Sequence, residues 1–117
     1  MVKGKILVVD DEKDILLSLT AILEAEGFAV RTAEDGETAL QILEGEEMDL
    51  VFLDIWLPGK DGIKVLEKVS RDYRDLPVIM ISGHGNIETA VETIKKGAFD
   101  FIEKPLSLEK VMVTVTK

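Results

Sequence analysis

Short apolar runs alternate along this chain with longer stretches in which apolar residues recur at helical spacing. Lys5 to Val9 is compact, apolar and rich in β-branched residues, the pattern of a buried strand. Between Glu12 and Glu26, Ile15, Leu16, Leu19, Ile22 and Leu23 fall on one helical face, and Gly27 is a stop signal. Phe28 to Ala33 reads as a second strand, and Asp35 to Leu43 as a helix with Ala39, Leu40, Ile42 and Leu43 inward. Leu50 to Leu53 is the third strand. Gly62 to about Arg71 is the third helix, with Asp61 as its N-cap. Val78 to Ile81 is the fourth strand. A helix capped by Asn86 follows, with Ile87, Ala90, Val91 and Ile94 on one face and Gly97 at its end. Phe99 to Ile102 is the fifth strand. A last helix is capped by Ser107 and carries Leu108, Val111, Met112 and Val115 on one face. That segment is ambiguous. Its Val and Thr content lowers helix propensity, and the alternation of Val111, Val113 and Val115 also fits a strand.

Strand and helix thus alternate five times, with no repeat, linker or low-complexity segment. The arrangement predicts an α/β domain: a parallel sheet with right-handed crossovers and helices on both faces. In such sheets, ligands sit beyond the carboxyl ends of the strands, where the strand order reverses. Chemistry is therefore to be sought just after each strand.

Composition narrows the options. The 117 residues suit one domain, and 46% of them are hydrophobic, enough for a single core. Net charge is −9, which argues against a nucleic-acid surface, since phosphate backbones need clustered Lys and Arg. The absence of cysteine excludes disulfides, Cys-ligated zinc and thiol catalysis. The single histidine, His84, cannot build a multi-histidine metal site. No apolar run approaches a membrane span and no signal-peptide core is visible, so a cytoplasmic location is expected. Residues 1–117 form one domain by this reading, and the abrupt end after the last helix is expected of an N-terminal piece of a longer protein.

Asp10 and Asp11 follow the first strand, Asp54 the third and Ser82 the fourth; Lys104 and Pro105 stand one residue beyond the fifth. If these strands are neighbours, three carboxylates, a hydroxyl and an ammonium converge. Adjacent carboxylates raise one another's pKa values, and a divalent cation relieves the repulsion. Hard oxygen ligands favour Mg²⁺, which keeps waters and shares a phosphate readily; Mn²⁺ can substitute. With Lys104 beside the metal, phosphoryl oxygens would be neutralised, which is most of what phosphoryl transfer asks of a protein. A carboxylate can then act as the nucleophile and form an aspartyl phosphate. Each residue also has a plainer reading. Asp11 could cap the first helix and Asp54 could form the turn before Leu57-Pro58-Gly59. Ser82 could be a turn hydroxyl, Lys104 a solvated lysine, Trp56 a packing residue and His84 an exposed loop residue. The joint placement carries the argument.

Four segments are similar to one known family: ILVVDDE at 6–12, VFLDIWLPGKDG at 51–62, VIMISGHG at 78–85 and GAFDFIEKP at 97–105. Over nearly its whole length the chain resembles response-regulator receiver domains of the CheY-like superfamily. The last two segments look most like the nitrogen-regulation (NtrC/NtrX-type) subgroup. The resemblance implies a flavodoxin-like doubly wound fold with strand order 2-1-3-4-5. It implies that Asp54 accepts a phosphoryl group from the phosphohistidine of a sensor histidine kinase, in a two-component system regulating transcription. Asp11, Asp54 and the backbone carbonyl of Trp56 would ligate Mg²⁺, with Asp10 acting through water. Ser82 and Lys104 would contact the phosphoryl group, and the Lys104-Pro105 bond is often cis in the family. In the implied switch, Ser82 moves toward the phosphoryl oxygen and the aromatic at 101 turns inward. Phe101 stands where many members have tyrosine, so it can fill the space but not donate a hydroxyl hydrogen bond. Lys60 departs from the apolar residue usual before this Asp-Gly. Trp56 and His84 would flank the phosphoryl site. Output is expected through the fourth helix, fifth strand and fifth helix, a face that supports a homodimer.

On this reading the domain is not an enzyme beyond its own phosphorylation and dephosphorylation. Two alternatives compete. A metal-dependent phosphatase with an aspartyl nucleophile usually needs an Asp-x-Asp pair and a cap domain; here the pair is Asp10-Asp11 and there is no length for a cap. A receiver that works without phosphorylation is disfavoured by the complete residue set.

Overall fold

The computed structural model describes residues 3–57, 62–83 and 87–115. Five strands and five helices alternate: β1 (Lys5–Val9), α1 (Lys13–Ala25), β2 (Ala29–Ala33), α2 (Gly36–Gly45), β3 (Leu50–Asp54), α3 (Gly62–Asp72), β4 (Val78–Ser82), α4 (Ile87–Lys95), β5 (Asp100–Glu103) and α5 (Leu108–Val115). The strands form one parallel sheet in the order β2-β1-β3-β4-β5, as the doubly wound expectation requires. The chain passes from β1 to β2 on one side, then returns across β1 to β3 on the other. The order therefore reverses at β1, and a crevice opens between the carboxyl ends of β1 and β3.

Alternation within the strands divides the core between the two faces. Leu7, Val9, Val51, Leu53, Val78 and Met80 lie in one cluster with Ala39 and Leu43 of α2 and Val65, Leu66 and Val69 of α3. Ile6, Val8, Phe52, Ile79 and Ile81 lie in the other with Leu16, Leu19 and Leu23 of α1 and Val111 of α5. Because β1, β3 and β4 are buried on both faces, they read as continuous apolar runs.

Element boundaries depart from expectation by a residue or two. Asp54 and Ser82 are the last residues of their strands rather than the first beyond them. β5 is shifted one residue toward the C-terminus, so Lys104 follows it directly. The ambiguous last segment is a helix. Ser107 Oγ accepts the Lys110 N–H at 3.2 Å, and Val111 and Thr114 are buried against the sheet. Docking of that face outweighs the modest propensity of its valines. On α4, Val91 and Ile94 share a face as expected but are exposed; among the helix's described side chains the fully buried one is Thr93, whose hydroxyl donates to the Ala90 carbonyl at 2.9 Å. Capping by Asp61 and Asn86, and the positions of Lys60 and His84, lie outside the described residues.

Two glycines are required by geometry rather than by turn type. The Gly62 N–H donates to the Ile55 carbonyl at 2.8 Å, fastening the start of α3 to the end of β3. A Cβ on Gly62 would overlap the backbone of Asp54 and Ile55. Gly97 takes φ +114°, a left-handed conformation, and a Cβ there would overlap the Ser70 side chain of α3. Gly62→Ala is expected to destabilise the domain by about 1–3 kcal/mol through forced displacement of the β3 end. Gly45→Ala, at an exposed helical position with no atom within 4 Å of the added methyl, is expected to be neutral or stabilising by up to about 1 kcal/mol. Urea denaturation of both variants checks this; equal effects would show that the β3–α3 junction tolerates a side chain.

Candidate functional site

The register of the sheet assembles the site. Val9 pairs with Leu53, so one step further places Asp10 beside Asp54. Asp54 pairs with Ile81 and Ser82 with Glu103, so Ser82 and Lys104 follow on the next strands of the same edge. The backbone ties these ends together. The Asp10 N–H donates to the Ala33 carbonyl at 3.1 Å, Ile55 to Ile81 at 3.1 Å and Lys104 to Ser82 at 2.8 Å. The Lys104-Pro105 peptide bond is cis.

Asp10, Asp11 and Asp54 each present a carboxylate oxygen within 4.8 Å of the others. Asp10 is 0% exposed and Asp54 3%, whereas Asp11 is exposed to solvent. Two of the three charges are therefore withheld from water, which is costly without compensation. Lys104 supplies part of it. Its ammonium lies 3.0 Å from Asp10 Oδ2, 3.0 Å from Glu12 Oε1 and 3.5 Å from Asp54 Oδ2. Burial works against the Lys104 charge, but its contacts with Asp10 and Glu12 and the charges of Asp10 and Asp54 outweigh burial, so its pKa stands above the ordinary lysine value. Asp10 Oδ1 accepts the Glu12 N–H at 2.9 Å; Oδ2 is buried with no aligned hydrogen-bond donor, its closest positive charge being Lys104. Asp54 Oδ1 accepts the Trp56 N–H at 3.2 Å, so Asp54 also forms the turn expected of it.

Ser82 is fully buried at the end of β4. Phe101 is half-buried and packs against the core cluster under α2 and α3. Trp56 is 60% exposed, so the packing role weighed for it does not hold. The plainer reading of Asp11 also fails: the N-cap of α1 is Glu12, one residue on, and its side chain makes no capping hydrogen bond. Glu12 was not anticipated in this network. Its only sequence signal was adjacency to the aspartate pair, because its partner lies 92 residues away.

Three clustered carboxylates and an exposed approach past Asp11 fit a hard divalent cation with an incomplete protein shell. Among the described residues no other group of three metal-ligating side chains was found.

The fold and site together are those of a doubly wound α/β domain with acidic residues at its switch point, faced by a lysine that follows the last strand. The chain belongs to the response regulator receiver domain family, whose model matches residues 6–116. It is 51% identical over 110 residues to the nitrogen assimilation regulatory protein NtrX of Azorhizobium caulinodans, covering 92% of this chain and 24% of that protein. The crystal structure of the receiver domain of NtrX from Brucella abortus superposes with a TM-score of 0.90 at 49% identity, covering 95% of this chain and 94% of that one. A CheY-like response regulator receiver domain protein from Methanospirillum hungatei superposes at 0.92 with 33% identity, covering 99% and 92%. The expected likeness to the nitrogen-regulation subgroup and the strand order are both borne out. The chain spans 24% of the length of the NtrX and NtrX-like relatives it matches. No helix of the described residues is long and apolar enough to cross a membrane.

Burial, and after it the charge of Asp10, push the Asp54 pKa up to about 6, against the pull of Lys104 and the Trp56 N–H. A carboxyl whose folded pKa lies above its ordinary value of 3.8 favours folding when protonated. That contribution is complete below pH 3.8 and is lost as pH rises from there through about 6. At neutral pH the ionised Asp54 therefore works against folding. Asp54→Asn is therefore expected to raise the urea midpoint at pH 7, with the gain vanishing toward pH 4. Millimolar Mg²⁺ is expected to stabilise the wild type more than the variant. Equal stability of the two proteins across this pH range would overturn the electrostatic account.

Proposed function

We propose that this domain accepts a phosphoryl group on Asp54 from the phosphohistidine of a sensor histidine kinase, in a reaction that requires Mg²⁺. The observation that carries the reading is the convergence of buried Asp10, buried Asp54 and Lys104 within 3.5 Å at the sheet's switch point. In the step, an Asp54 Oδ attacks phosphorus, the phosphorus–nitrogen bond of the donor breaks, and the imidazole leaves with the bonding pair and takes a proton. The Lys104 ammonium, beside Asp54 Oδ2, would take a phosphoryl oxygen as its partner. Ser82 would donate its hydroxyl to another. Asp11 and Asp54, with the Trp56 carbonyl, would hold Mg²⁺, and Asp10 would act through water; Mn²⁺ would serve in its place. When bound, the ion neutralises charge on the phosphoryl oxygens.

Ser82 and Phe101 would form the switch. Phe101 already packs half-buried at the core edge and lacks a hydroxyl, so its inward state would rest on packing alone. On α4, Val91 and Ile94 are exposed one turn apart, an apolar surface consistent with a homodimer through the α4-β5-α5 face. Residues 1–117 would act as one receiver module, with transcription as the regulated output, as the names of the relatives suggest.

Intact mass after incubation with Mg²⁺ and a small phosphodonor such as acetyl phosphate is expected to show one added phosphoryl group on the wild type and none on Asp54→Asn. Equal labelling of the variant would move the nucleophile elsewhere. Trp56, the single tryptophan and exposed beside the cluster, is expected to change its fluorescence on addition of Mg²⁺ and again on phosphorylation. An unchanged signal at millimolar Mg²⁺ counts against the metal site. Size-exclusion chromatography with and without a phosphoryl mimic is expected to show a shift toward dimer; an unchanged monomer would remove dimerisation as the output of this domain.

A further inference from the structure

We infer that Glu12 is a positioning residue that holds the Lys104 ammonium before the phosphoryl group arrives, and thereby sets how readily the site captures it. The inference rests on the proposed phosphorylation of Asp54 and goes beyond it, because it concerns a side chain outside the metal, nucleophile and switch sets.

Three observations carry it. First, Glu12 occupies the N-cap position of α1, where Ser, Thr, Asp or Asn would serve, yet its carboxylate caps nothing. Second, that carboxylate instead accepts a hydrogen bond from Lys104 Nζ at 3.0 Å, joining the start of α1 to the residue after β5. Third, the two anions at 3.0 Å from Lys104 differ in exposure. The Asp10 side chain is 0% exposed and the Glu12 side chain 60% exposed, with Lys104 between them at 11%. The Glu12 backbone is fixed by its N–H bond to Asp10 Oδ1, so only its side chain is free to swing away.

An ammonium has three donors and no more. In the unphosphorylated domain one is directed at Glu12, while Asp10 and Asp54 occupy the buried side. A phosphoryl oxygen entering from solvent needs the donor on the open side, which is the one Glu12 holds. Capture is therefore an exchange in which one anion displaces another from Lys104. Glu12 also adds a fourth negative charge to the mouth of a site that must admit an anionic donor. Both effects retard capture, and both vanish when the carboxylate is removed.

The plainer account is that Glu12 is an acidic side chain favourably placed near the helix dipole. Asp14, exposed in the first turn of the same helix, shares that role but has no contact with Lys104 among those described, so it is the control. The experiment measures the initial rate of labelling by acetyl phosphate at saturating Mg²⁺ as a function of donor concentration, by intact mass. In this reaction the phosphorus–oxygen bond of the donor breaks, acetate leaves with the bonding pair, and a new bond forms to Asp54. Glu12→Gln is expected to lower the donor concentration for half-maximal rate roughly three- to tenfold, the change of about 1 kcal/mol that a displaced, half-exposed ion pair carries. Glu12→Asp, which keeps the charge but shortens the side chain by one methylene, is expected to move in the same direction by less. Asp14→Asn is expected to match the wild type. Glu12→Gln matching the wild type overturns the inference, as does an equal gain for Asp14→Asn, which would reduce the effect to general charge. If Asp54→Asn labels as the wild type does, the reading of the nucleophile fails instead, and this inference fails with it.

Discussion

The contact of the Lys104 ammonium with Asp10 and Asp54 is the interaction around which the site is organised. Two carboxylates are buried at adjacent strand ends, and no amount of apolar packing can compensate their charge. One lysine from the far side of the sheet stands within 3.5 Å of both. The balance is incomplete, since three carboxylates of the cluster and Glu12 face a single ammonium. The raised pKa of Asp54 is the measure of what is left over. The domain is held in a state that a divalent cation, and then a phosphoryl group sharing that cation, would relieve. On the proposed function, this uncompensated charge is what would draw these ligands to the free domain.

The sheet makes that charge tolerable. β1, β3 and β4 are covered on both faces, and their ends are locked by a parallel ladder and by the Ile55–Ile81 and Lys104–Ser82 backbone bonds. The acidic groups cannot relax apart without breaking those bonds. Gly62 tightens the arrangement from the other side, because α3 begins against the backbone of Asp54 itself. Rigid elements carry the charged groups, and Trp56 and Glu12 stand at the exposed rim.

Much of this was legible in the residue pattern. The parallel sheet covered on both faces followed from five alternations of strand and helix, its order from the family resemblance, and the convergence of Asp10, Asp11, Asp54, Ser82 and Lys104 from their places at strand ends. What was not legible was finer than one residue or longer than one element. Boundaries at Asp54, Ser82 and β5 shifted because ladder bonds continue until a neighbouring strand ends, which local sequence does not encode. The helical form of 108–115 was decided by docking of Val111 and Thr114, against a local alternation that also suited a strand. On α4 the apolar face holding Val91 and Ile94 is exposed and Thr93 is buried instead, an outcome that spacing alone does not encode. The Glu12–Lys104 pairing depends on two residues 92 apart, and only the assembled sheet brings them together.

That separation has a consequence for when the domain becomes chemically competent. The cluster draws on residues 10, 54, 82 and 104, from four different strand ends, and its lysine lies just before the last helix. No subset of strands short of β5 brings the acidic pair together with its ammonium. Contacts of such sequence separation form late, after loop-closure entropy has been overcome. A chain paused partway through folding, or one that has lost its last strand and helix to local unfolding, still displays the aspartates but lacks the ammonium that faces them. On the proposed function the site would therefore also be a test of completion, since only copies that have closed the whole sheet would present all of it.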